Sequence, residues 1–69
     1  MNALINEMAQ ILELNAADMM HHMLDLADEY SEVTPALVAR SLLHTAFAQG
    51  GETHTKVAAI YNEYNKAAA

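Results

Sequence analysis

The stretch Ala3–Tyr30, ALINEMAQILELNAADMMHHMLDLADEY, decides how the rest of the chain is read. It contains neither Gly nor Pro, and its large apolar residues recur at helical spacing. Ile5, Leu12, Met19 and Leu26 follow one another at seven-residue intervals. Ala9, Ala16, Met23 and Tyr30 form a second row, offset by four. Steps that alternate between three and four align both rows into one apolar seam on an α-helix. The spacing predicts a first helix over about residues 3–31. A helix of roughly 28 residues is about 42 Å long, more than so short a chain can cover by itself. A second copy of the chain is the simplest cover. The expectation is a homodimer in which Ile5, Leu12, Met19, Met23, Leu26 and Tyr30 meet their counterparts.

One position argues against a single rod. Asn15 is a good N-cap, and Asp18 three residues later suits a first helical turn. The alternative is a helix ending near Leu14 and another starting at Ala16. Continuity is the preferred reading, because the interval between Leu12 and Met19 runs through Asn15 without a phase shift.

Beyond Tyr30 the punctuation is firmer. Thr34 is a suitable N-cap, and Pro35 suits the first helical position, where its missing N–H costs nothing. Proline also disfavours helical geometry at the residue before it, which ends the first helix near Ser31 or Glu32. A second helix runs from Pro35 to Gln49. Val38, Ala39, Leu42 and Ala46 form its inner stripe, and Leu43 and Phe47 broaden it. Ser41, Thr45 and Ala48 are small enough to let a neighbouring helix approach. Gly50-Gly51 supplies the left-handed geometry that stops this helix. A third helix covers about residues 53–66, with Val57, Ile60, Tyr61 and Tyr64 on one buried face. Ala67-Ala68-Ala69 is expected to fray. The chain reads as one all-α domain over residues 1–69: a long helix followed by a helical hairpin.

Composition narrows the function. A chain of 69 residues builds one small core, and folds of this size need a disulfide, a metal or oligomerisation as support. There is no Cys, which leaves oligomerisation as the expected support and fits a reducing compartment. Nine acidic residues against three basic ones give a formal net charge of −6. Such a surface repels phosphate backbones and anionic lipid, so neither nucleic acid nor membrane is an expected partner. No secretory signal and no membrane-spanning run is visible, and a cytoplasmic protein is expected.

Four histidines are the one compositional hint of a metal site. His21 and His22 are adjacent and point about 100° apart on a helix. Asp18 and Asp25 flank His22 at helical spacing, and Asp25 and Asp28 follow His21. Each such pair is half of a metal site, but no complete set of ligand pairs is present. The plainer reading is a solvated acidic face, and no cofactor is expected. Ser41 and His44 lie on one helix with no orienting third group, so no catalytic residue is assigned and the chain is read as a non-enzyme.

What remains is surface. Asp18, Asp25, Asp28, Glu29 and Glu32 crowd the second half of the first helix. All five methionines, Met1, Met8, Met19, Met20 and Met23, lie at or before that half, and Met is an adaptable contact residue. Met20 and Leu24 fall off the dimer seam, beside Asp25 and Glu29. These four are the expected contacts for a protein partner with a basic surface. The leading expectation is a small acidic interaction protein that modulates or inhibits a larger one. Small host-takeover inhibitors made by phages belong to this size class. A histidine-based metal protein and a structural subunit of an assembly are the alternatives.

Overall fold

The computed structural model describes residues 3–68, and all of its regular elements are helices. There are four rather than three among these residues: α1 (Ala3–Ile11), α2 (Ala16–Glu29), α3 (Pro35–Gln49) and α4 (Gly51–Ala68). Met1, Asn2 and Ala69 lie outside the described residues.

The expected single helix over residues 3–31 is two helices, and the backbone between them shows why. The Glu13 N–H donates to the Gln10 carbonyl at 3.0 Å, and the Leu14 N–H reaches back to the Ala9 carbonyl at 2.9 Å. This crossed pair closes α1 with a Schellman turn, whose pivot is Glu13 at φ 59°. Two residues later a new helix opens. The Asp18 N–H donates to Asn15 Oδ1 at 2.9 Å, and the Asn15 N–H donates to Asp18 Oδ2 at 3.1 Å. That reciprocal capping box satisfies two donors that a helix start otherwise leaves bare. Asn15 is therefore the boundary, as its capping chemistry suggested and the unbroken interval did not. The interval persists because α1 and α2 each turn their apolar face to the same hairpin.

The other boundaries follow the punctuation. α2 stops at Glu29, slightly before the expected Ser31 or Glu32, where extended Tyr30 gives its N–H to the Leu26 carbonyl at 2.9 Å. Thr34 caps α3 through Oγ1, which accepts from the Leu37 N–H at 3.3 Å, with Pro35 in the first turn. Gly50, at φ 71°, ends α3 in a conformation that a Cβ disfavours. α4 starts at Gly51 and continues through Ala67 and Ala68, where fraying was expected.

The core lies where α1 crosses the α3–α4 hairpin. Ile5, Met8, Ala9 and Leu12 of the first segment close on Val38, Ala39, Leu42 and Ala46 of α3, and on Val57 and Tyr64 of α4. The inner stripe read for α3 is the buried one. Phe47 is the exception: it was expected to broaden that stripe and instead stands 71% exposed. Ile5 and Leu12 are buried inside one chain, so the proposed seam is divided between this core and α2 rather than presented as one strip. No described helix is long and apolar enough to cross a membrane.

The boundary can be tested by two substitutions with opposite signs. Asn15→Ala removes the cap and should destabilise the fold by about 1 kcal/mol. Glu13→Gly relieves a left-handed conformation at a C′ position and should stabilise it by roughly 0.5–1 kcal/mol. Urea unfolding followed by circular dichroism measures both. Equal and negligible effects would show that no helix boundary lies there.

Candidate functional site

α2 is the element least absorbed by the fold. None of its residues is fully buried. Met19, Met23 and Leu26 rest partly buried on the core, and with His22 they form a stripe at i, i+3, i+4 and i+7 that faces inward. The opposite side is open. Met20 is 62% exposed and Leu24 56%, one helical turn apart, with Asp25 and Glu29 also exposed. Of the nine carboxylates in the chain, Asp18, Asp25, Asp28, Glu29 and Glu32 fall in α2 or just after it. No Lys or Arg precedes Arg40. This surface thus couples two flexible apolar side chains to a one-sign field.

α2 is fastened to α3 by a polar contact that the sequence did not announce. His22 Nδ1 lies 2.9 Å from Ser41 Oγ. Ser41 was read as a small residue that permits close approach, and was weighed as a reactive pair with His44 rather than with His22. The same smallness lets the imidazole in, and the hydroxyl then supplies a partner. No carboxylate hydrogen-bonds the second ring nitrogen of His22 among the described residues. Ser41 also sits within α3, where the neighbouring N–H groups are engaged by the helix and cannot form an oxyanion hole.

The histidine–aspartate spacings do not assemble into a cluster. Asp18 turns its carboxylate to the Asn15 N–H, His22 turns to Ser41, and His21 is exposed. Among the described residues no group of three or more His, Asp or Glu side chains is placed to hold a metal ion.

Two concavities flank α3. The first, of about 260 Å³, is lined by Leu26, Glu29 and Tyr30 from the end of α2, and by Leu37, Arg40, Ser41 and His44 from α3. Tyr30, read as a seam residue, forms part of its rim. Glu29, read as a partner contact, shares this groove with Arg40. The two opposite charges do not pair there. Lys56 and Lys66 each have a carboxylate on their own helix, Glu52 at 3.2 Å and Glu63 at 4.0 Å, whereas Arg40 has no ion pair among the described residues. On α3 its lining residues 37, 40, 41 and 44 share one face at i, i+3, i+4 and i+7, a face that the sequence reading left unassigned. Its α2 side depended on the break at Asn15. The second concavity, of about 340 Å³, lies at the α3–α4 corner between Leu43, His44, Phe47 and His54.

No protein-family model, curated protein or solved structure matches the chain.

The His22–Ser41 contact predicts a difference between adjacent histidines. Ser41→Ala leaves the part-buried imidazole without its partner and should cost about 1 kcal/mol. His21→Ala alters only an exposed side chain and should change stability by less than about 0.5 kcal/mol. Denaturant midpoints for the two variants should separate accordingly; coincident midpoints would show that the contact does not hold α2.

Proposed function

We propose that this protein is a non-enzymatic interaction module that docks on another protein through the outer face of α2 and so modulates it. The observation that carries this reading is the composition of that face: Met20 and Leu24 stand exposed within an acidic helix whose other side is occupied by the core. An isolated exposed Leu needs no explanation, but two large apolar side chains one turn apart beside a row of carboxylates form a contact with direction. The apolar pair supplies affinity on desolvation. The carboxylates steer a Lys- or Arg-bearing surface into register and reject acidic ones. The groove at the end of α2 extends the contact, because Glu29 belongs to both.

A basic partner follows from the charge. With a formal net charge of −6, the protein repels nucleic acid and anionic surfaces and attracts proteins that bind them. Inhibition by occupying a basic site on a larger protein, as host-takeover inhibitors do, is the mode that this chemistry favours. A cytoplasmic setting is part of the same proposal.

The test begins by enriching partners from the cells that encode the protein, using wild type beside two variants. For a partner so found, Met20→Ala should raise the dissociation rate roughly tenfold, since apolar contacts act chiefly on dissociation. Asp25→Lys combined with Glu29→Lys should slow association roughly tenfold at low salt, and the difference should shrink as salt is added. All three positions are exposed, so the variants should keep the wild-type circular dichroism. Unchanged rate constants in both variants would remove α2 as the docking surface.

A further inference from the structure

The groove between the end of α2 and α3 holds a polar arrangement that docking through Met20 and Leu24 does not use. Arg40 is the only Arg in the sequence, and it has no ion pair among the described residues. Glu29 lines the same cavity of about 260 Å³, yet the two charges do not meet across it. With His44 counted neutral, these two are the formally charged residues of the lining, and they cancel. The groove is therefore neutral but dipolar, with a carboxylate on the α2 wall and a guanidinium on the α3 wall. Half-buried Leu26 and Leu37 add apolar surface, one from each wall.

Ser41 adds a donor to the Arg40 wall. Its Oγ lies 2.9 Å from His22 Nδ1. When that ring nitrogen carries the proton, it donates to the hydroxyl oxygen, and the serine's own proton is left for a ligand oxygen.

We propose that this groove binds a free α-amino acid with an apolar side chain, in its zwitterionic form. The ligand carboxylate takes the Arg40 guanidinium and the Ser41 hydroxyl, and its ammonium takes the Glu29 carboxylate. Its side chain lies on Leu26 and Leu37. Charge selects this class over the others. A phosphate or a dicarboxylate meets Glu29 at the wall, within a chain of formal net charge −6. A plain cation satisfies Glu29 but is repelled by Arg40. A zwitterion satisfies both, and it carries no net charge into the surrounding field. Size agrees. A cavity of about 150 Å³ holds a benzene ring, and drug-sized ligands occupy roughly 300–1,000 Å³, so this groove suits a molecule between the two. Arg40 and His44 are exposed, so the groove is open and the affinity low, with a Kd on the order of 1 mM. The inference stands apart from α2 docking: both draw on Glu29, but neither needs the other.

Titration of isotope-labelled protein at neutral pH with L-leucine, up to about 20 mM, tests the proposal by the shifts it induces. Saturable shifts should centre on Leu26, Glu29, Leu37, Arg40 and Ser41. Arg40→Gln alters an exposed side chain, so it should keep the wild-type helix content while weakening binding roughly tenfold. Two analogues separate the charges. N-acetyl-leucine keeps the carboxylate without the cation, and leucinamide keeps the cation without the carboxylate. Each should bind roughly tenfold more weakly than leucine. No saturable shift with leucine, or shifts that survive Arg40→Gln, would overturn the proposal. N-acetyl-leucine binding as well as leucine would remove Glu29 from the site and leave a plain carboxylate pocket, which overturns the zwitterion. Leucinamide binding equally well would overturn the role of Arg40. The titration uses the protein alone, so its failure leaves α2 docking untouched.

Discussion

The fold depends on a reversal of the backbone between Leu12 and Asn15. A left-handed residue at Glu13 closes α1, and the Asn15–Asp18 box opens α2 at once. A continuous rod over the same residues would be about 42 Å long, beyond the 31 Å largest extent of the folded chain. Breaking it lets α1 lie across the α3–α4 hairpin and lets α2 pack on α3. The left-handed residue costs about 1 kcal/mol, which the capping box offsets in similar measure. Burial of Ile5, Met8 and Leu12 is then the net gain, and a chain without Cys has few other sources of stability.

The same reversal separates the work of the two N-terminal helices. α1 contributes its apolar face to the core and ends there. α2 contributes a partial stripe, a single polar tether from His22 to Ser41, and no fully buried residue. Its outer surface is exposed among the described residues, and there the acidic residues and exposed apolar side chains coincide. The proposed recognition surface therefore falls on the element that stability needs least, where substitutions on the outer face do not disturb the core.

Much of the architecture was legible. Thr34-Pro35 and Gly50-Gly51 marked their boundaries because each acts through local backbone chemistry that no distant contact can override. The buried stripes of α3 and α4 were legible because Val38, Leu42, Val57 and Tyr64 recur at helical spacing. The break at Asn15 was visible as a cap but was outweighed by the interval from Leu12 to Met19. A heptad interval shows which residues face a common surface, not whether that surface lies in the same chain. From that step followed the long helix and a dimer seam containing Ile5 and Leu12. Phe47 was misplaced for a related reason: it lies at the edge of the α3 stripe, where the His54 ring of α4 meets it edge to face and most of its surface stays exposed. Met20 and Leu24 were placed outside correctly, because their position depends only on which side of α2 faces in. The His22–Ser41 contact needed the angle between two helices, which residue spacing along one helix does not encode.

α1, α3 and α4 form the stable unit, with α2 docked on it as a separable, exposed surface. Native-state hydrogen exchange, resolved by residue across a series of low denaturant concentrations, tests this most directly. Amides of residues 19–29 should exchange through a local opening of lower free energy than the core amides around Met8, Leu42 and Val57, which open together. Protection in α2 equal to that of the core helices, with the same denaturant dependence, would contradict it.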